Sequence, residues 1–190
     1  MPINQRYDTF FKRLIAGIID GFVFLPLNWT GDYLAENSGP DFALSWSVVQ
    51  TIIWTLYVVI GHGKYGQTIG KRAMAIKVLD LDETNKIGYK RAFIRESVWF
   101  FTSLAGSIYY IYFHYSTGSP HLEFTLIESF ISTTTTLWFI LEIVTMFFNP
   151  KRRALHDLMA KSVVIDMDVV KREERFRATE SIGVAERQPN

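Results

Sequence analysis

Arg13 and Asp20 stand seven residues apart in the run Phe10-Phe-Lys-Arg-Leu-Ile-Ala-Gly-Ile-Ile-Asp20-Gly-Phe-Val-Phe-Leu-Pro-Leu27. Read as a membrane helix, this run holds Asp20 well inside hydrocarbon, where a carboxylate costs about 2.5 to 3.5 kcal/mol on insertion scales. Such a group must be paired, wetted or protonated. Its functional chemistry would be capture of a cation or proton; the structural alternative is a polar clasp between helices, with hydroxyl partners. The spacing puts both side chains on one helix face roughly 10 Å apart. That is too far for a direct bond, so each needs a partner elsewhere.

Two further groups supply candidates. Glu128, Ser132, Thr135 and Glu142 follow spacings of 4, 3 and 7, a narrow stripe on a helix. Facing the same interior as Asp20, the stripe makes Asp20, Glu142 and Thr135 the candidates for an ion or proton site. Thr133, Thr134 and Thr136 are more simply satisfied by bonding back to the preceding turn. Later, Arg152-Arg153-Ala-Leu-His156-Asp157-Leu-Met-Ala160 reads as a short interfacial helix with Arg153 and Asp157 at i and i+4. Asp157 is better used as an acceptor at the cytoplasmic mouth for Arg13 or for Lys71-Arg72. Arg13, Asp157, Arg153, Lys71 and Arg72 are therefore the candidates for a cytoplasmic gate or latch.

Other apparent motifs do not hold. Gly61-His-Gly-Lys-Tyr-Gly66 fits G-x-G-x-x-G, yet follows an apolar span rather than a strand of a βαβ unit. Gly66-Gln-Thr-Ile-Gly-Lys71-Arg72 is one residue short of a phosphate-binding loop and lacks the hydroxyl after lysine; a glycine-rich re-entry at the membrane surface explains it better. The four histidines show no ligand spacing, and the chain has no cysteine, so disulfides, thiolate catalysis and cysteine-ligated zinc are excluded. No cofactor or metal is expected. A net charge of +1 gives no reason to expect nucleic acid as a partner.

The elements that would position these residues follow from hydropathy. Of 190 residues, 48% are hydrophobic and 21% charged, and the two kinds are segregated. Spans are expected at about 10–29, 42–60, 97–115 and 124–148, with a cytoplasmic loop over 61–96. All 20 Lys and Arg residues lie in the N-terminal segment, that loop or the part after Pro150. The positive-inside rule then places both termini in the cytoplasm. The polar N-terminus and the lack of a small-residue cleavage site argue against a removable signal peptide.

The expected fold class is an all-α membrane protein: a four-transmembrane-helix bundle with short cytoplasmic β-strand or hairpin elements after spans 2 and 4. Ala75 to Asp82 reads as a strand, Lys86 to Tyr89 as its possible return, and Lys161 to Asp168 as a second strand. Lys77-Val-Leu-Asp-Leu-Asp82 and Val163-Val-Ile-Asp-Met-Asp168 match at an offset of 86 residues, which also carries spans 1 and 2 onto spans 3 and 4. Either the unit is duplicated or short strands before turns simply look alike. Residues 1–168 form the membrane domain, and 169–190 read as a cytoplasmic tail, a frayed helix and then largely disordered.

Arg13-Leu-Ile-Ala-Gly-Ile-Ile-Asp20, Gly66-Gln-Thr-Ile-Gly-Lys-Arg72 leading into Ile76-Lys-Val-Leu-Asp80, Arg91-Ala-Phe-Ile-Arg95, and Arg153-Ala-Leu-His-Asp157 leading into Val163-Val-Ile165 occur in this order. Together they resemble the RDD family of membrane proteins over about residues 8–166. The resemblance implies that Arg13, Asp20 and Asp157 are the arginine and two aspartates of the family's name. Lys161-Ser162 departs from it, since threonine is more usual there, and the Thr-rich fourth span with Glu142 is not part of the pattern. It implies a small integral membrane protein, with ligand or ion transport proposed for the family, and no assigned substrate.

The expected function is movement of a small ion or solute across the cell membrane, with the lipid bilayer and further copies of the chain as partners and the transported ligand unknown. The alternative is a non-transporting adaptor that binds a protein or anionic lipid through its cytoplasmic loop. An enzyme is not expected, because the chain has neither a nucleophile motif nor a metal set.

Overall fold

The computed structural model describes residues 3–38, 40–117 and 126–185. After a 3-10 turn at Ile3–Tyr7, the chain forms α1 (Phe10–Ser38), α2 (Pro40–Ile60), a π-helical turn (Gly61–Tyr65), α3 (Ile69–Ala73) and β1 (Ile76–Asp80). It continues through α4 (Gly88–Thr117), α5 (Leu126–Phe148), α6 (Leu155–Met159), β2 (Ser162–Asp166) and α7 (Met167–Ala185). The described residues are mostly helical, with one two-stranded sheet among them. Among the described residues, Ser129–Phe148 in α5 is the segment long and apolar enough to cross a membrane by length and composition alone.

Two boundaries differ from the sequence reading. The expected cytoplasmic loop is only partly a loop, because α4 begins at Gly88 and carries Arg91, Arg95 and Glu96 on helix. The expected outer segment from Thr30 to Asp41 is almost wholly helical, leaving only residue 39 between α1 and α2. The second expected outer segment, Ser116 to Glu123, lies almost entirely outside the described residues, as does the side chain of Glu128.

The segment after α2 turns back toward the bundle. Gly66 ends the π turn in the left-handed region, at φ 75°, and the Thr68 side chain caps α3. Gly70 lets α3 lie against α1: a Cβ there would stand 2.0 Å from the Ala16 carbonyl oxygen. Lys86 to Tyr89 does not return as a strand. The Asp80 carboxylate accepts from the N–H groups of Thr84 and Asn85, Gly88 turns with φ 72°, and α4 follows. β1 pairs instead with β2, antiparallel, with Ile76 opposite Asp166 and Asp80 opposite Ser162.

The 86-residue offset recurs in the backbone. β1 (76–80) and β2 (162–166), and likewise α3 (69–73) and α6 (155–159), are each separated by 86 residues. So are the left-handed residues Gly66 and Arg152, and Ala75 and Lys161. Val78 and Val164, which carry the same offset, are paired at the centre of the ladder, as a local two-fold axis through the sheet requires.

Buried apolar residues gather at the sheet end. Ile76, Val78 and Val164 pack with Ala16, Val59, Ile87 and Ala92, and Leu79, Val163 and Ile165 pack with Tyr7. The helix flanks instead expose Phe22, Leu56, Phe101, Phe130 and Phe147, the pattern of a chain whose apolar solvent is lipid. The first part of the tail is helical, and α7 is held at its start. Asp166 accepts from the N–H groups of Asp168 and Val169, Val169 is buried, and Val170 packs on the second cluster. Residues 186–190, the end of the expected disordered tail, lie outside the described residues.

Candidate functional site

The most heavily charged site lies where α1, α4 and α6 meet. Asp157 is fully buried, and its Oδ2 accepts from Arg13 Nη1 at 2.6 Å while Oδ1 meets Arg95 Nη1 at 2.5 Å. The Ala154 N–H adds a bond at 3.1 Å and the Ser162 hydroxyl another at 3.3 Å. Burial alone would raise the Asp157 carboxyl, but the two guanidiniums outweigh it and hold the group well below the usual carboxylate range. Arg13 is further fixed by the Thr9 hydroxyl and the Arg152 carbonyl. One carboxylate thus joins the heads of two long helices.

Arg95 extends the network. Its Nη2 lies 2.7 Å from His156 Nε2, which must accept because arginine only donates. His156 Nδ1–H therefore donates to Glu142 Oε1 at 2.6 Å, an oxygen that also accepts from the Trp138 indole at 2.9 Å. Glu142 thus fixes a histidine at the base of the bundle and does not face Asp20. Thr135 bonds back to the Ile131 carbonyl at 2.8 Å, and the structure does not bring it to Asp20 either.

Asp20, 4% exposed, has an aligned donor on each side. Oδ1 accepts from Tyr57 Oη at 2.6 Å and from the Gly70 N–H at 2.7 Å, and Oδ2 accepts from Thr68 Oγ1 at 2.6 Å. Tyr57 Oη in turn accepts from the Ile69 N–H at 2.9 Å. The acid thereby pins the re-entrant α3 to α1 and α2, the geometry of a polar clasp.

The cations on Asp157 are Arg13 and Arg95; Lys71 and Arg72 are not among them. Arg153 spans the Ser162 and Asp157 carbonyls and does not pair with the Asp157 carboxylate. Arg72 is exposed and lines a separate cavity with Tyr57 and Thr68, whereas Lys71 lines a cavity with Arg13 and Asp20.

Two cavities lie above this network. The basal one, about 230 Å³, is lined by Arg13, Lys71, Arg95, His62 and His156 together with Asp20 and Glu96. Burial, reinforced by Arg95, lowers the Lys71 ammonium to about 8. Burial, reinforced by Lys71, pushes His62 down to about 3, so its ring is neutral at neutral pH. Neither ring nitrogen of His62 has a hydrogen-bond partner, although the residue is 1% exposed. The second cavity, about 500 Å³, lies between α1, α2 and α4 and reaches Asn28 and Gln50. Trp54, Glu96 and Trp99 line both cavities.

Sequence reasoning did not place Arg95, Glu96, His62 or His156 in the site. Arg95 and His156 left a signal, as members of the Arg91-Ala-Phe-Ile-Arg95 and Arg153-Ala-Leu-His-Asp157 stretches. The partners of Asp20 are one tyrosine, one threonine and a backbone N–H, chemical types too common to single out.

Helices with lipid-type exposed flanks, a buried two-stranded sheet and an acid-bridged base are what a small integral membrane protein requires. The model of the RDD family matches residues 7–161, and the chain belongs to this family of membrane proteins. No curated protein and no solved structure matches the chain.

Proposed function

We propose that the chain is a four-span protein of the cytoplasmic membrane, with both termini cytoplasmic, that moves a small ion or solute between α1, α2 and α4. The supporting observation is the junction at which Trp54, Glu96 and Trp99 join the mid-bundle cavity to the polar basal one. α1, α2, α4 and α5 have 29, 21, 30 and 23 residues, each enough for a core of about 30 Å. Arg6 at the N-terminus bonds Glu83 after β1 and Glu173 in α7, which favours one side of the membrane for all three.

In this reading Asp157, with Arg13 and Arg95, is the latch at the cytoplasmic mouth, and Asp20 holds the re-entrant wall. The cargo-facing carboxylate becomes Glu96 rather than Asp20. Self-association would use α5, whose Ser132, Thr133, Thr134 and Thr136 are exposed and small enough for close helix contact. The adaptor reading has less support, because its expected strands are already paired with each other.

The test is flux into sealed proteoliposomes for sodium, potassium, protons and choline. Gly21 lines the mid-bundle cavity, and a Cβ there meets nothing within 4 Å. Gly21→Leu should therefore fold and plug the path. Flux of at least one probe that Gly21→Leu abolishes supports the proposal; no flux of any probe, or flux unchanged by the plug, defeats it.

A further inference from the structure

We propose that the mid-bundle cavity binds an organic ammonium ion, held by the Glu96 carboxylate and the ring faces of Phe24, Trp54, Trp99 and Phe100. The inference rests on reading this cavity as the ligand path, and it names the class of ligand. At about 500 Å³ the space suits a small organic molecule. Four aromatic side chains line it, and Glu96 is its one ionisable lining residue. Rings around a cation, with one carboxylate nearby, are the arrangement that recognises ammonium groups.

Glu96 differs from Asp20, Asp157 and Glu142 in having acceptor capacity to spare. Asp20 takes three bonds of 2.6 to 2.7 Å. Asp157 holds two guanidiniums, and Glu142 holds His156 and Trp138. Among the described residues Glu96 is met by His62 Nδ1 at 3.5 Å and Arg95 Nε at 3.8 Å, and each of those nitrogens is itself without a hydrogen-bond partner there. A carboxylate so loosely held can turn toward a ligand in the cavity above it.

The walls argue against the rival ligands. A bare inorganic cation needs a shell of oxygens to replace its water, six or so for a divalent ion. Here Glu96 is the one carboxylate, and most of the wall is apolar, with four aromatic side chains among its lining residues. An anion would face Glu96 with no cation lining the same cavity. Lys71 and Arg95 in the basal cavity lie below and repel a cation, so an ammonium ion would stop at the height of Glu96.

The experiment is isothermal titration of the purified full chain in nanodiscs with choline, with its uncharged carbon isostere dimethylbutanol, and with sodium. Saturable binding of choline that neither rival reproduces is the expected result. Glu96→Gln should weaken it about tenfold or more, and Trp99→Leu several-fold, as expected for a cation on desolvated rings. Thermal melting checks that each variant folds; should Glu96→Gln not fold, Trp99→Leu and Phe100→Leu decide. No choline binding, equal binding of dimethylbutanol or sodium, or folded variants that bind like the parent would overturn the proposal. Choline bound but not carried into vesicles defeats the carrier reading and leaves the ligand class standing. Flux of another probe with no choline binding does the reverse.

Discussion

Replacing Asp157 by asparagine should be the most damaging conservative change in the chain. Asparagine keeps the volume and an acceptor for the Ala154 N–H, but removes the charge facing Arg13 at 2.6 Å and Arg95 at 2.5 Å. Those side chains are only 12% and 3% exposed, so water cannot replace the lost partner. Breaking a buried pair by removing one member costs about 3 to 5 kcal/mol. A carboxylate shared by two guanidiniums belongs near the upper end. In a chain of 190 residues each kcal/mol moves the melting temperature by about 2 to 4 °C, so Asp157→Asn should melt about 10 to 15 °C lower.

The assay is thermal unfolding of parent and variant in one detergent, followed by tryptophan emission. A pH series adds a signed expectation. The folded-state pKa of Asp157 is depressed, so its stabilisation is full above the unfolded value of about 3.9 and is lost as pH falls through the folded one. The parent should therefore lose, below about pH 4, an increment that the variant lacks. Adding Arg95→Met to Asp157→Asn removes the orphaned cation and should recover part of the loss. A variant melting within about 3 °C of the parent, or a double variant no better than the two losses added, would refute the bridge as the base of the bundle.

Two other outcomes are expected. Gly70→Ala should lower stability by about 1 to 3 kcal/mol, as overpacking does, because its Cβ would meet the Ala16 carbonyl oxygen at 2.0 Å. Melting that is unchanged would show that α3 is not clamped to α1. Lys71, with a folded pKa of about 8, binds its proton less readily than in the unfolded chain, where the value is about 10.4. Its burial penalty is full below pH 8 and lifts between the two values, so the parent should gain stability across that window relative to Lys71→Met. Parallel stability curves for the two proteins would show that Lys71 is not held in a desolvated site.

The sequence by itself determined what depends on local period and composition: the helices, the segregation of charge, the membrane class and the 86-residue offset of the strands. It also narrowed Arg13 to a partner outside its own helix, because seven residues is two turns, and Asp157 was one of few acids left at that level. Tertiary structure alone decided the rest. Arg13 and Asp157 are separated by 144 residues, and Arg95 enters the same bridge from a third helix. Neither distance nor partner is written in any local pattern. The roles of Asp20 and Glu142 turned on the same point. Asp20 sits against a re-entrant backbone N–H and two hydroxyls, and Glu142 against His156, because α3 and α6 fold back under the helices. Glu96, which drew no notice as one acid on a charged stretch, became the cavity carboxylate once α1, α2 and α4 packed around aromatic side chains. A carboxylate's burial, and how many donors saturate it, are properties of packing.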